Sequence, residues 1–217
     1  TQSPPLLASS SSTGTYSTGQ LVVNNAIAVS DSDDTNMESA TVSILAGFVS
    51  SEDVLSFTAA GGITGIYSSS TGVLSLSGSA SVADYQSVLR SVTYENANTG
   101  DRNKSPRNIV FQVNDGTDVS NALGTTISLP NQLPVLANTS TPPAYVSGSI
   151  VITDQITITD GDNGNLQAGS VQITSGFESA EDELVYTDQN NITGSYNATT
   201  GVLSLGGRSS QANYQAA

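Results

Sequence analysis

The sequence predicts an all-β chain built as two tandem β-sandwiches, each with one short helix. Three observations carry this reading: an internal repeat, apolar residues spaced two apart, and turn chemistry between the apolar runs. The repeat has an offset of 129 residues, which superposes Pro5 on Pro134, Tyr16 on Tyr145, Gly47 on Gly176, Tyr67 on Tyr196 and Gln86 on Gln215 without a gap. In a chain of 217 residues that period makes two domains, each near the size that buries a self-sufficient core. The period-two pattern runs through Leu21 and Val23, Ile27 and Val29, Val42 and Ile44, Leu55 and Phe57, Leu74 and Leu76, Val92 and Tyr94, Ile109, Phe111 and Val113, and Ile127 and Leu129. Strands with one buried face need this spacing, because successive side chains point to opposite faces. Gly61-Gly62, Ser70-Thr71-Gly72, Ser77-Gly78 and Asn114-Asp115-Gly116 supply the turns between them. Short strands at such intervals suit a sandwich.

Taken in order, residues 1–19 are rich in Ser, Thr, Gly and Pro and read as an extended linker, so order is expected to begin near Leu21 and the first domain to span 20–130. Ser81-Val82-Ala83-Asp84-Tyr85-Gln86-Ser87-Val88-Leu89 breaks the alternation. It sets Val82, Tyr85, Val88 and Leu89 on one helical face, with Ser81 and Asp84 at capping spacing, and predicts a short helix crossing the sandwich. Residues 97–108 hold three of the five basic residues, Arg102, Lys104 and Arg107, and read as an exposed, solvated loop. Pro130-Asn131-Gln132-Leu133-Pro134 is a linker stiffened by its two prolines, with the second domain at 134–217. Only Ala216 and Ala217 follow Gln215, whereas the first copy continues to Leu129. The second sandwich is therefore expected to lack its last strands. The expectation is that it continues in the parent protein or borrows strands from another molecule, since otherwise core and strand edges stay exposed.

Composition narrows the function. Nineteen Asp and Glu against five Lys and Arg give a formal charge of −14, which argues against nucleic acid and anionic membranes as partners and for cations. The chain has no Cys and no His, which removes disulfides, zinc fingers, thiol nucleophiles and imidazole bases. No apolar run is long enough to span a bilayer and no charged-then-apolar leader is present, so any export signal or anchor is expected outside this stretch.

Asp31-Ser32-Asp33-Asp34-Thr35-Asn36 returns as Asp160-Gly161-Asp162-Asn163-Gly164-Asn165, and this chemistry points to an oxygen-only cation site. Calcium takes six to eight oxygens, so a site needs several carboxylates and carbonyls within one loop or from converging loops. The loops are not EF-hands, because Val42 and Val171 stand where the twelfth-position glutamate is required. Together with Ser70-Thr71-Gly72-Val73-Leu74-Ser75-Leu76, Ile109-Val110-Phe111-Gln112-Val113-Asn114-Asp115-Gly116 and Pro130-Asn131-Gln132-Leu133-Pro134-Val135-Leu136, the aspartate loop resembles a cadherin repeat. Ala83-Asp84-Tyr85-Gln86-Ser87-Val88-Leu89-Arg90-Ser91-Val92-Thr93-Tyr94 is closer still to the cadherin-like repeats, of dystroglycan or proteoglycan type, of large bacterial surface adhesins. The resemblance implies tandem immunoglobulin-like Greek-key sandwiches that bind calcium at the domain ends. It nominates Asp31, Asp33, Asn36 and Asp115 in the first copy, and Asp160, Asp162 and Asn165 in the second. The second set has no counterpart of Asp115 in the chain, and the linker offers Asn131 and Gln132 where cadherin linkers carry an acidic run.

Other candidates read as structural. Glu52-Asp53 and their repeats Glu181-Asp182 are adjacent carboxylates before a strand, read as solvated strand entrances rather than a cation site or a glycosidase pair, since neighbouring strand residues face opposite sides. The single lysine, Lys104, lies in a polar loop ill suited to an isopeptide. Sequons at Asn138, Asn191 and Asn197 are common by chance in a chain this rich in Asn, Ser and Thr. Tyr67, Tyr85, Tyr94, Tyr196 and Tyr214 sit in apolar patterns and read as core. The leading expectation is thus a non-enzymatic, calcium-binding stalk or spacer of a secreted or cell-surface adhesin. Its partners would be neighbouring repeats, then cell-surface glycans or a second copy of itself, with no nucleic acid and no membrane insertion. A carbohydrate-binding module of an extracellular polysaccharide-binding or -degrading protein is the alternative.

Overall fold

The computed structural model describes residues 2–141 and 144–217, which divide into two units. The first comprises residues 1–98 and 102–131, the second residues 99–101 and 132–217. Among the described residues no helix is long and apolar enough to cross a membrane.

The first unit is a β-sandwich. Its strands are β1 (Leu6–Ser9), β2 (Thr13–Thr15), β3 (Leu21–Val22), β4 (Ile27–Ser30), β5 (Asn36–Ala46) and β6 (Asp53–Ser56). They continue with β7 (Thr64–Ser68), β8 (Val73–Ser81), helix α1 (Val82–Arg90), β9 (Thr93–Asn96), β10 (Arg107–Asn114) and β11 (Leu123–Ser128). A six-stranded sheet in the order β2-β11-β10-β5-β8-β7 forms one layer, and β3-β9-β6 with the β1-β4 pair form the other. Alternation places Met37, Val42 and Ile44 of β5, Leu74 and Leu76 of β8, and Ile109, Phe111 and Val113 of β10 in one core with Leu7, Ile27, Leu55 and Tyr94 from the opposite layer. Ser81 caps α1, its hydroxyl accepting from the Asp84 amide at 3.1 Å, and Tyr85, Val88 and Leu89 seat the helix in the core.

Residues 1–19 do not form the linker that their composition suggests. β1 pairs antiparallel with β4, and β2 lies parallel to β11. Strand pairing uses backbone groups, so a Ser/Thr/Gly-rich segment joins a sheet as soon as a few apolar side chains anchor it. Leu7 and Tyr16 are those anchors, both buried, and the Asn121 side chain accepts from the Leu7 amide at 2.8 Å and donates to its carbonyl at 2.9 Å.

The second unit contains β12 (Val135–Asn138), β13 (Ile156–Thr159), β14 (Asn165–Gln172), β15 (Thr193–Asn197), β16 (Val202–Ser210) and helix α2 (Gln211–Gln215). Its topology copies the first: β12 pairs with β13 as β1 does with β4, and β14-β16-β15 repeats the order β5-β8-β7. Gly61 and Gly62, both at positive φ, become Asn190 and Asn191 at φ 52° and 62°, a turn that asparagine tolerates better than other side chains. Ile158, Leu184, Ile192, Leu203, Leu205 and Tyr214 make its smaller core.

Candidate metal centre

Asp31 follows β4 and opens the turn into β5. Its Oδ1 accepts the backbone amides of Asp33 and Asp34, each at 3.0 Å, and those two donors hold the carboxyl below its ordinary value. Asp115 does the same in the turn after β10: its Oδ1 accepts the amides of Thr117 and Asp118, both at 2.7 Å. Each aspartate thus spends one oxygen on its own turn. The other oxygen of each, Asp31 Oδ2 and Asp115 Oδ2, is shielded from solvent and has no hydrogen-bond partner.

These two aspartates meet a third. One carboxylate oxygen from each of Asp31, Asp34 and Asp115 lies within 4.8 Å of the others. Asp34 registers the crowding: burial, then the charges of Asp115, Asp31 and Asp33, push its carboxyl above the usual range, against a hydrogen bond from Gln2. Buried carboxylate oxygens without donors are costly unless a cation compensates them, so the residues present fit a hard divalent ion. Of the other nominated residues, Asp33 is exposed and turned towards the N-terminal segment, accepting from the Ser3 amide at 3.1 Å. Asn36 is exposed at the first position of β5. Asp34, which the reading of the loop passed over, takes the place beside Asp31 because it lies three residues on, where the turn folds back.

The second loop builds the same turn with one carboxylate fewer. Asp160 Oδ1 accepts the amides of Asp162 and Asn163, both at 3.1 Å. Burial raises the Asp160 carboxyl, but donors led by the Asp162 amide leave it below its ordinary value. Asn163 stands where Asp34 stands in the first copy, and its side chain donates to Asp160 Oδ2 at 3.3 Å. Asp162 is fully buried and accepts the Gln132 amide at 3.0 Å, whereas Asn165 donates to Asp101 at 3.1 Å.

At a different place in the first unit, Glu52 and Asp53 prove not to be a solvated strand entrance, and the loop of residues 97–108 is not simply exposed. Arg107 continues the inward alternation of Ile109, Phe111 and Val113, so β10 carries its guanidinium into the sandwich at 0% exposure. Asp53 is an inward residue of β6, as Leu55 is, and has 1% exposure. Arg107 Nε donates to both Asp53 oxygens, at 3.0 and 2.9 Å, and Nη2 reaches Glu52 Oε2 at 3.5 Å. The Tyr94 hydroxyl and the Val49 amide donate to Asp53, each at 2.7 Å. Tyr94 is held protonated well above the ordinary tyrosine value, by burial first and then by this bond. Arg102 is buried as well, its guanidinium 5.3 Å from the Tyr16 ring centre. The signal for Arg107 was its phase: it occupies the first of four inward positions, the other three being Ile109, Phe111 and Val113. The knot is buried inside the sandwich and reads as structural.

Glu52 supplies a pH test. Burial raises its carboxyl, but donation from Asn98, Asn96 and the Asn103 amide, with the Arg107 charge, leaves the net value below the ordinary 4.5. A depressed acid contributes stability that is present above its unfolded value and lost as pH falls through its folded value. The stability difference between the wild type and Glu52→Gln should be constant above about pH 5.5 and shrink as pH falls below about 4. Urea midpoints measured across that range check it.

No family model matches the chain. It is 42% identical over 126 residues to halomucin of Haloquadratum walsbyi (strain DSM 16790 / HBSQ001), an alignment that covers 55% of this chain and 1% of that protein. The chain thus corresponds to a very small part of its relative. Among solved structures, mouse clustered PcdhgC3 EC1-3 aligns over 97% of this chain and 58% of its own at 12% identity, with a TM-score of 0.31, too low to define a common fold.

Proposed function

We propose that the chain is a non-enzymatic, cadherin-like repeat module stabilised by calcium, serving as a stalk or spacer in a secreted or cell-surface protein. The observation that carries this is the convergence of Asp31, Asp34 and Asp115, two of whose oxygens are buried without donors. Those three residues would hold the ion, with Asp33 and Asn36 on the same loop. Asp160, Asp162 and Asn165 would form a weaker second site, since Asn163 replaces a carboxylate there. Calcium supplies the charge that lets the trio stay ionised together. The likeness to halomucin supports a surface protein, the sandwich fold suits a spacer, and neighbouring repeats of the same polypeptide are the natural partners.

Thermal melts with millimolar calcium and with chelator test the proposal. Extracellular calcium modules bind at about 0.1 to 1 mM, so calcium at ten to a hundred times Kd should stabilise the first unit by about 1 to 3 kcal/mol. A midpoint that does not move would remove the metal from this account.

A further inference from the structure

β14 has β16 on one side, and among the described strands nothing pairs with its other side. Its equivalent β5 is flanked by β8 and by β10. With β10 beside it in the sheet, Val42 of β5 is fully buried, whereas its counterpart Val171 is 41% exposed. Beside this edge the second unit has already built half of the first unit's charged knot. Asp182 Oδ2 accepts the Glu178 amide at 2.8 Å, as Asp53 Oδ2 accepts the Val49 amide at 2.7 Å. The Tyr196 hydroxyl donates to the Asp182 carbonyl at 2.8 Å, as Tyr67 does to the Asp53 carbonyl at 2.7 Å. In the first unit Tyr94, Asn96 and Arg107 complete the knot; Glu181 is exposed and Asp182 only half-buried.

We infer that the free edge of β14, with Glu181 and Asp182, is a receptor for a strand of the β10 type: an arginine followed by alternating apolar residues, as in Arg107-Asn108-Ile109-Val110-Phe111-Gln112-Val113-Asn114. The first repeat sets the register. There Ile109 lies opposite Ile44, Phe111 opposite Val42 and Val113 opposite Ala40. The incoming strand would therefore place its isoleucine at Ile173, its phenylalanine over Val171 and its valine at Gly169. Its arginine would reach Asp182 and Glu181, supplying positive charge to two adjacent carboxylates. The backbone of the edge contributes the ladder and the carboxylates contribute selectivity, the usual division in strand addition.

The test extends the chain after Gln215 with the first repeat's own Ser87–Leu129 and follows amide hydrogen exchange in Asn165–Gln172. Exchange across β14 should slow by at least about tenfold relative to the unextended chain. Replacing the appended copy of Arg107 by glutamine, with the other two arginines of the segment kept, should abolish most of that protection. A synthetic peptide of residues 105–116, added at millimolar concentration to the unextended chain, should protect the same amides without relying on the extended chain to fold. Unchanged β14 exchange in both formats would overturn the inference. So would protection that rises with concentration of the unextended chain alone, because that would put a second copy on the edge. Equal protection by the arginine and glutamine segments would overturn the role of Glu181 and Asp182. None of these readouts needs calcium, so they stand apart from the metal proposal.

Discussion

Arg107→Ala should destabilise the first unit by about 3 to 5 kcal/mol, the largest single effect expected in the molecule, measured as a shift in urea midpoint. The cost arises because the truncation leaves the Asp53 carboxylate buried at 1% exposure with its cationic partner gone. Tyr94 and the Val49 amide would still donate to it, but neutral donors do not replace a charge held by two bonds near 3 Å. Arg107→Lys should recover only part of the loss, since an ammonium cannot span Asp53, Glu52 and Asn103 as the planar guanidinium does. The paired change Arg107→Met with Asp53→Leu should cost far less than either single change, because two desolvated charges are removed together. If the single alanine variant keeps its midpoint within about 0.5 kcal/mol, the buried pair is not what holds that end of the sandwich.

Asp34→Asn should change sign with calcium. Without the ion, removing one of three mutually repelling carboxylates should raise stability, because Asp34 is the member whose carboxyl is pushed up by burial and by Asp115, Asp31 and Asp33. A raised acid destabilises the fold at neutral pH and ceases to do so once protonated, so this gain should fade as pH falls through the Asp34 value. With millimolar calcium the same variant should instead be less stable than wild type and lose most of the calcium-induced rise in midpoint, since it removes a ligand. The substitution is mild by design, as the second repeat carries Asn163 at this position in an intact turn. Melting curves of both proteins, with and without calcium, should cross over. Parallel curves would mean that Asp34 does not act on an ion.

Much of the architecture was legible because it follows from local periodicity. Alternation in Ile109, Phe111 and Val113 implies a strand with one buried face, and the spacing of Val82, Tyr85, Val88 and Leu89 after Ser81 implies a capped helix; both elements stand where those patterns put them. The 129-residue offset likewise carries one unit's strand order into the other. Composition was a poorer guide for residues 1–19. Polar, turn-prone residues there say nothing about whether Leu7 and Tyr16 find a core, and that depends on strands far away in sequence. The aspartate loop announced acidic chemistry, but which carboxylate faces which is set by the fold of the turn: Asp34, three residues after Asp31, meets Asp115, whereas Asp33 turns to Ser3.

The sequence by itself determined the all-β class, the tandem repeat, the single helix of each copy and the acidic character of the two loops, because each rests on a spacing of a few residues or on identity at a constant offset. Only the tertiary structure decided that Arg107 lies inside rather than on a solvated loop, that Glu52 and Asp53 are its partners, and that the N-terminal segment is part of the sandwich. These are contacts between residues about 50 to 120 positions apart. A charge is admitted to a core only where its counter-charge and hydrogen-bond donors arrive from other strands, and no local pattern records that arrival.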